Sequence, residues 1–314
     1  MGRAKFIVNP VAGSGGSARR WERLQPVLRE LDLEYDWELT AGPRDGVRLA
    51  AAAAAAGYET VVAVGGDGTV NEVANGIMQA AGGAPTRTRL GIIPTGRGTD
   101  LCRTVGVPLD CEEAARRLAW MRTVALDVGE VEYMAAGAVE RRFFVNFAGL
   151  GFDVEVTRRA NTIAPRGGGK VPYLSSVFLC LLSYRNKGVE LVLDGEVLRR
   201  RVNMVVVANG QYFGGGMQIA PQASPLDGLL DVVVLGDLNR LELVLNLPKV
   251  YEGSHVTHPK VEIWRVERAE VHSVEPVHLQ VDGDPIGETP ARIRLIKGAL
   301  RLLAAGREGA FAPP

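Results

Sequence analysis

Residues 61–72 read Val-Val-Ala-Val-Gly-Gly-Asp-Gly-Thr-Val-Asn-Glu. A β-branched run stops at three glycines set around one aspartate, and a helical pattern then begins. Glycine opens backbone conformations closed to other residues and lets a ligand come close to the main chain. A helix starting just after it presents N–H groups without helical partners and the positive end of the dipole, a combination that suits phosphate. Thr69 is expected to be the N-cap, with Glu72 completing a capping box. The stretch predicts a phosphate-binding turn in which Asp67 handles a metal or a proton. The plainer alternative is a glycine-rich turn in which Asp67 only caps the helix.

The pattern around this turn repeats along the first third of the chain. Ala4 to Val8 predicts a buried strand, and Asn9-Pro10-Val11-Ala12-Gly13-Ser14-Gly15-Gly16-Ser17 follows as a second glycine-rich turn. Trp21, Leu24, Val27, Leu28 and Leu31 then fall on one helical face. Leu33 to Thr40 alternates as a half-exposed strand, and Val47 to Ala56 is an alanine-rich helix ended by Gly57. The helix after Asp67 should reach about Ala81, and Arg89 to Pro94 is a further strand that enters the loop Thr95-Gly96-Arg97-Gly98-Thr99-Asp100. Strands alternating with helices imply a parallel sheet covered on both faces. Ligands in such sheets sit beyond the carboxyl ends of the strands. All three glycine-rich loops are expected there, so they can converge on one ligand.

From about Thr123 strands take over. Val124–Tyr133, Arg142–Phe147, Val189–Leu193, Val197–Ala208, Leu229–Leu235, Val261–Val266, Ala269–His272, Val277–Val281 and Ala291–Ile296 read as strands, with Asp194-Gly195 as a hairpin turn. One helical pattern, Leu238 to Val250, interrupts them. At 314 residues two domains are the natural expectation. The fold class is α/β plus β: a Rossmann-like α/β domain over residues 1–125, then a β-sandwich or partial barrel over 126–297.

Charge narrows the partners. Lys and Arg number 36 and Asp and Glu 36, so the formal charge is zero, which argues against nucleic acid and against a polybasic membrane anchor. Cys102, Cys111 and Cys180 are odd in number and widely spaced, as expected of free thiols in a reducing cytoplasm. The sequence enters its first strand at once, which predicts no signal peptide. Its most apolar run, Val171 to Tyr184, is too short and interrupted to span a bilayer. That run suits an acyl-chain pocket, a surface that docks on a membrane, or a buried helix. Arg166 and Lys170 lie in a glycine-bearing loop, where they either approach phosphate or anionic lipid or are simply solvated. His255, His258, His272 and His278 do not form a zinc pattern.

Taken together, the loops resemble the diacylglycerol kinase and sphingosine kinase superfamily, in particular its bacterial soluble lipid-kinase branch. The carrying residues are Asn9-Pro10 with Gly13, Gly65 to Glu72, Pro94-x-Gly96-x-x-x-Asp100 and Gly149-x-Gly151-Phe152-Asp153. Further on they are Gly215-Gly216-Met217 with Ala220-Pro221, Asp227-Gly228-Leu229-Leu230-Asp231 and Val281-Asp282-Gly283-Asp284. They occur in family order and span nearly the whole chain.

The resemblance implies a nucleotide-carrying α/β domain, a lipid-carrying β-sandwich, a cleft between them, and a last segment, here about 298–314, that rejoins the first domain. It implies ATP and Mg²⁺ as cofactors. Asn9, Pro10, Gly13, Thr40, Gly65, Gly66, Asp67, Gly68, Thr69 and Asn71 would contact the nucleotide. The plainer alternatives are an ordinary turn at Asn9 with Ser17 as N-cap, and a surface strand end at Thr40. Where the family commonly has Pro-x-Gly-Thr-x-Asn-Asp, this chain has Arg97 for the threonine and Thr99 for the asparagine. Arg97 either clamps phosphate through its planar fork or faces solvent.

The resemblance also puts Asp67, Asp100 and Asp282 near the transferred phosphate, with Mg²⁺ near Asp67 and Asp100. It makes Asp284 the base, with Asp282 the other candidate. Without it, Asp282-Gly283 reads as a plain hairpin turn. A structural Mg²⁺ is implied at Asp227 with the carbonyls of Ser224 and Leu229, where the alternative is again a plain turn. The expected activity is transfer of the γ-phosphate of ATP to a lipid hydroxyl, with diacylglycerol the first choice. The expected setting is the cytoplasm, in peripheral contact with the inner face of the membrane, with a homodimer among the expected assemblies. A kinase of a soluble alcohol, like the NAD kinases, and a lipid-binding relative without catalysis are the alternatives.

Overall fold

The computed structural model describes residues 3–31, 33–118, 120, 122–163, 179–180 and 183–304. Arg166, Lys170, most of the Val171–Tyr184 run and residues 305–314 lie outside the described residues. The chain divides into two compact units, one of residues 1–128 with 296–314 and one of residues 129–295.

The first unit alternates strictly. β1 (Ala4–Val8), α1 (Ser17–Glu30), β2 (Tyr35–Leu39), α2 (Asp45–Ala55), β3 (Thr60–Gly65), α3 (Asp67–Ala80) and β4 (Arg89–Pro94) follow in order, then α4 (Asp100–Val105) and α5 (Cys111–Leu118). Four pairings in it are parallel: β2 on β1, β1 on β3, β3 on β4, and residues Arg301–Leu302 of the last strand on Arg89–Leu90 of β4. Every residue of β3 is buried, as expected of a central strand covered on both faces. Phe6, Trp21, Leu24, Val62 and Ile93 share its core. β2 is the edge and is mostly exposed.

The second unit is built mainly of antiparallel strands. They are β5 (Arg122–Ala135, entering from the first unit), β6 (Ala138–Phe144), β7 (Phe147–Gly151), β8 (Lys187–Leu193), β9 (Glu196–Val202) and β10 (Met204–Ala208). β11 (Leu230–Leu235), β12 (Val261–Val266), β13 (Arg268–Ser273), β14 (His278–Val281) and β15 (Asp284–Ala304, leaving into the first unit) complete them. One path runs β12-β11-β10-β7-β14-β15, and off it β15 pairs with β13 and β5, while β13 continues to β8 and β9. Leu150, Val205 and Val232 from the first path share a core with Leu191, Val271 and Ile293 from the other strands. That is the face-to-face packing of a sandwich. The α/β plus β expectation is met. The described helices of this unit include α6 (Phe152–Ile163) and α7 (Arg240–Tyr251). No described helix is long and apolar enough to cross a membrane.

The structure corrects three local expectations. Val197–Ala208 is two strands, because the N–H of buried Asn203 turns aside to the carbonyls of Leu235 at 2.8 Å and Gly236 at 3.1 Å. Arg142–Phe147 likewise breaks between Phe144 and Phe147. α6 was not among the expected elements; its Val154, Val156 and Thr157 are β-branched and disfavour helix, yet Val154 and Val156 are fully packed inside the unit.

Candidate active site

The three glycine-rich loops of the first unit meet at the carboxyl ends of β1, β3 and β4. The N–H groups of Thr95 and Gly96 both donate to the Gly65 carbonyl, at 2.8 and 3.0 Å. A Cβ on Gly96 would lie 2.4 Å from the Cα of Gly66, and one on Gly13 would lie 2.5 Å from the Thr95 carbonyl oxygen. No larger residue fits either place without moving a neighbouring loop. The Asn9 amide donates to Thr69 Oγ1 at 3.1 Å, and its oxygen accepts the Val11 N–H at 3.2 Å. Ser17 and Thr95 share a buried hydroxyl–hydroxyl bond of 2.7 Å, and the Arg20 guanidinium donates to the Thr95 carbonyl.

Asp67 is the first residue of α3. Its carboxylate accepts the N–H of Asp100, the buried first residue of α4, at 3.0 and 3.2 Å. The expected capping box at this helix does not form. The N-cap is Gly66, and Thr69 lies inside the first turn, buried against the Asn9 amide. Glu72 instead accepts the N–H groups of Arg44 at 2.9 Å and Gly46 at 3.0 Å, and so caps α2. Around Gly68 the side-chain direction is open space, which leaves room at the start of α3. Thr40 donates its N–H to the Val8 carbonyl at 2.9 Å, beside the start of the Asn9 loop. Pro10 is half-buried, Asn71 is buried and Arg97 is exposed.

In the second unit Asp282 and Gly283 form the tight turn between β14 and β15, both at positive φ, 46° and 87°. That is the backbone of a two-residue hairpin. The Asp282 carboxylate accepts three backbone N–H groups, from Val145 and Asn146 at 3.0 Å each and from Phe147 at 2.8 Å. It holds the break between β6 and β7. Asp284 is half-exposed and pairs with the buried Arg142 at 2.8 Å.

An apolar cavity of about 110 Å³ lies in the same unit, lined by Phe152, Met204, Met217, Leu243 and Leu247 among others. Asp153 is one of few polar groups on its wall. Its Oδ2 accepts the Gln280 amide at 2.6 Å. Burial pushes its pKa up to about 6, against the pull of the Gln280 bond. His255, also on the wall, is held to the Ile219 carbonyl at 3.0 Å, and burial lowers its pKa.

The Asp227 turn holds an arginine. Asp227 Oδ1 accepts the Leu229 N–H at 3.1 Å, Oδ2 is paired by Arg265, and the Ser224 carbonyl accepts the Asp227 N–H at 3.4 Å. Arg265 also faces Asp231, whose pKa burial pushes up to about 6, with Asp227 adding to the rise and Arg265 opposing it. As arranged, Ser224, Asp227 and Leu229 do not fit a cation, because Arg265 already supplies the positive charge.

Residues 3–131 match the diacylglycerol kinase catalytic domain, and residues 146–304 match the YegS C-terminal NAD kinase beta sandwich-like domain. A diacylglycerol kinase of Mycobacterium tuberculosis (strain CDC 1551 / Oshkosh) is 30% identical over 96% of this chain and 95% of its own. The chain belongs to the diacylglycerol kinase family. Among other relatives of this family member, a protein of Chromohalobacter salexigens named "Probable lipid kinase YegS-like" is 34% identical over 90% of this chain and 86% of its own. The crystal structure of a diacylglycerol kinase from Bacillus anthracis str. Sterne shares the fold, with a TM-score of 0.73, 23% identity and 98% of each chain covered.

Membership makes the chain a kinase, and kinases use ATP. For this kinase the structure brings Asn9, Gly13, Gly65, Gly66, Asp67, Thr69, Gly96 and Asp100 into one cluster. It sets Asp282 and Asp284 on one hairpin and Asp227 on a separate turn. Sequence reasoning missed the Ser17–Thr95–Arg20 lock, the partner of Asp284, the arginine at Asp227 and the wall position of Asp153. Asp153 had a signal, its place in the Gly149–Asp153 motif. The others join residues too far apart in sequence to be paired by spacing.

Proposed function

We propose that this chain transfers the γ-phosphate of ATP to the hydroxyl of a lipid, diacylglycerol first, while in peripheral contact with a membrane surface. The observation that carries the nucleotide half is the interlock of three glycine-rich loops at the start of α3. Backbone N–H groups at a helix start, with open space beside Gly68, suit a triphosphate. Asp67 and Asp100 supply hard carboxylate oxygens, the donor type that magnesium takes, and their chemistry fits it. Magnesium bound there would neutralise charge on the phosphate oxygens. Asn9, Pro10, Gly13, Thr40, Gly65, Gly66, Gly68, Thr69, Asn71 and Arg97 form the remaining nucleotide set in this reading.

The relatives' names and the apolar cavity of the second unit support the lipid half. Its wall suits acyl chain, and Asp153 suits a polar group near the head of the lipid. Asp284 is the base that takes the hydroxyl proton. Asp282 is the weaker candidate, since both its oxygens already serve backbone amides. Arg142 holds the Asp284 carboxylate in place.

The test is a labelled-ATP assay against diacylglycerol, a sphingoid base, NAD and small soluble alcohols. Label in an organic-phase product is expected. A water-soluble product would mean a soluble-alcohol kinase, and no product would mean a binding protein without catalysis. Asp67→Asn, which keeps one acceptor for the Asp100 N–H, should lose turnover by a factor on the order of 10³ with the fold intact.

A further inference from the structure

The helix α7 has two apolar faces. Asn239 and Glu242 form its capping box, with bonds of 3.0 Å and 2.7 Å, so its start is fixed. Leu243, Leu247 and Val250 turn inward to the core that surrounds the cavity. Leu241, Val244 and Leu245 turn outward and are 67%, 51% and 63% exposed. With exposed Pro248 they stand at i, i+3, i+4 and i+7, one continuous stripe. A protein surface rarely leaves such a stripe bare without a use for it.

Two further observations say what covers the stripe. Val244 and, beyond the stripe, Tyr251 are half-exposed and also line the cavity, so the bare stripe and the cavity wall meet at Val244. The helix also carries exposed Arg240 and Lys249, while its Glu242 is neutralised by Lys260 through two contacts of 2.8 Å. Glu252, just beyond the helix, is an exposed acidic residue. Apolar side chains flanked by cations are the pattern of a helix lying in the boundary between headgroups and acyl chains.

We propose that α7 docks on a bilayer containing anionic lipid, with Leu241 and Leu245 inserted among the acyl chains. In that position the cavity wall at Val244 and Tyr251 faces the membrane, and an acyl chain passes from bilayer to cavity without crossing water. The proposal rests on the lipid-kinase reading for the cargo, but not for the binding.

The experiment is sedimentation of the full chain with vesicles of phosphatidylcholine and phosphatidylglycerol. It compares the parent protein with Leu241→Ser/Leu245→Ser and with Arg240→Gln/Lys249→Gln. The leucine variant should bind about tenfold more weakly per leucine replaced. The charge variant should bind about fivefold more weakly per residue, on vesicles with phosphatidylglycerol but not on pure phosphatidylcholine. Neither pair lines the cavity, so phosphorylation of short-chain monomeric diacylglycerol should persist in the leucine variant while that of vesicle-embedded diacylglycerol falls. Unchanged vesicle binding by the leucine variant overturns the proposal. So does a dimer that this variant breaks apart while leaving vesicle binding intact, since the stripe then belongs to a second copy of the chain. Vesicle binding that depends on both leucines, with no lipid phosphorylated, upholds the docking surface and sinks the lipid-kinase reading instead.

Discussion

The carboxylate of Asp67 receives the backbone N–H of Asp100 at 3.0 and 3.2 Å. The residue that opens α3 thereby also holds the first turn of α4. Loops that are dozens of residues apart thereby form one bonded cluster, and perturbing one should be felt in the others.

Gly96→Ala tests the interlock. A methyl group 2.4 Å from the Gly66 Cα cannot be accommodated without separating the two loops. Overpacking of this kind costs about 1–3 kcal/mol, readable by urea unfolding. KM for ATP should rise with it, and an unchanged KM would show that the spacing of these loops does not matter to nucleotide.

Asp282 and Asp284 should separate cleanly. Asp282→Ala leaves three backbone N–H groups without their acceptor and should cost about 3 kcal/mol or more. Asp284→Asn keeps an oxygen acceptor for the buried Arg142 and should cost less, about 1–2 kcal/mol. It should nevertheless lower kcat by a factor on the order of 10²–10⁴. The reverse pattern, with Asp284→Asn active and Asp282→Asn stable but dead, would move the base to Asp282.

Arg265 decides how the Asp227 turn meets magnesium. Without nucleotide, the melting temperature of the parent protein should be the same in Mg²⁺ and in EDTA. In Arg265→Gln the acidic pair Asp227 and Asp231 loses its cation, and Mg²⁺ should then raise the melting temperature by roughly 3 °C or more. A parent protein that EDTA destabilises would restore the magnesium set of Ser224, Asp227 and Leu229.

Asp153 predicts a pH dependence. Its folded pKa of about 6 lies above the ordinary value of 3.8. Between those values the folded chain holds a proton that the unfolded chain has lost, so stability falls as pH rises through that window and is level above it. Asp153→Asn should flatten the fall and raise stability at neutral pH by roughly 1–3 kcal/mol, seen in denaturation curves at pH 4.5 and 7.5. The same variant should raise KM for lipid if Asp153 meets the lipid head, while KM for ATP stays unchanged.

Much of the scaffold was legible. Ala4–Val8, Arg89–Pro94 and Val261–Val266 begin and end where hydrophobic pattern and neighbouring turn residues put them. The Asp194-Gly195 turn is a two-residue hairpin with both residues at positive φ, as its dipeptide demands. These are local matters, decided by side-chain alternation and by which residues tolerate a left-handed backbone. α6 and the break at Asn203 were not legible, because tertiary packing and a bond to Leu235 and Gly236 overrode local preference.

The site divides the same way. Sequence alone determined that three glycine-rich turns end three parallel strands, because glycine at such turns and alternation along such strands are written residue by residue. Only the tertiary structure decided what those turns and acids do to one another. It gave Glu72 to α2, Asp282 to three amides, Asp284 to Arg142 and Asp227 to Arg265. A carboxylate takes whichever donor the fold brings within about 3 Å, and no spacing along the chain records which one that is.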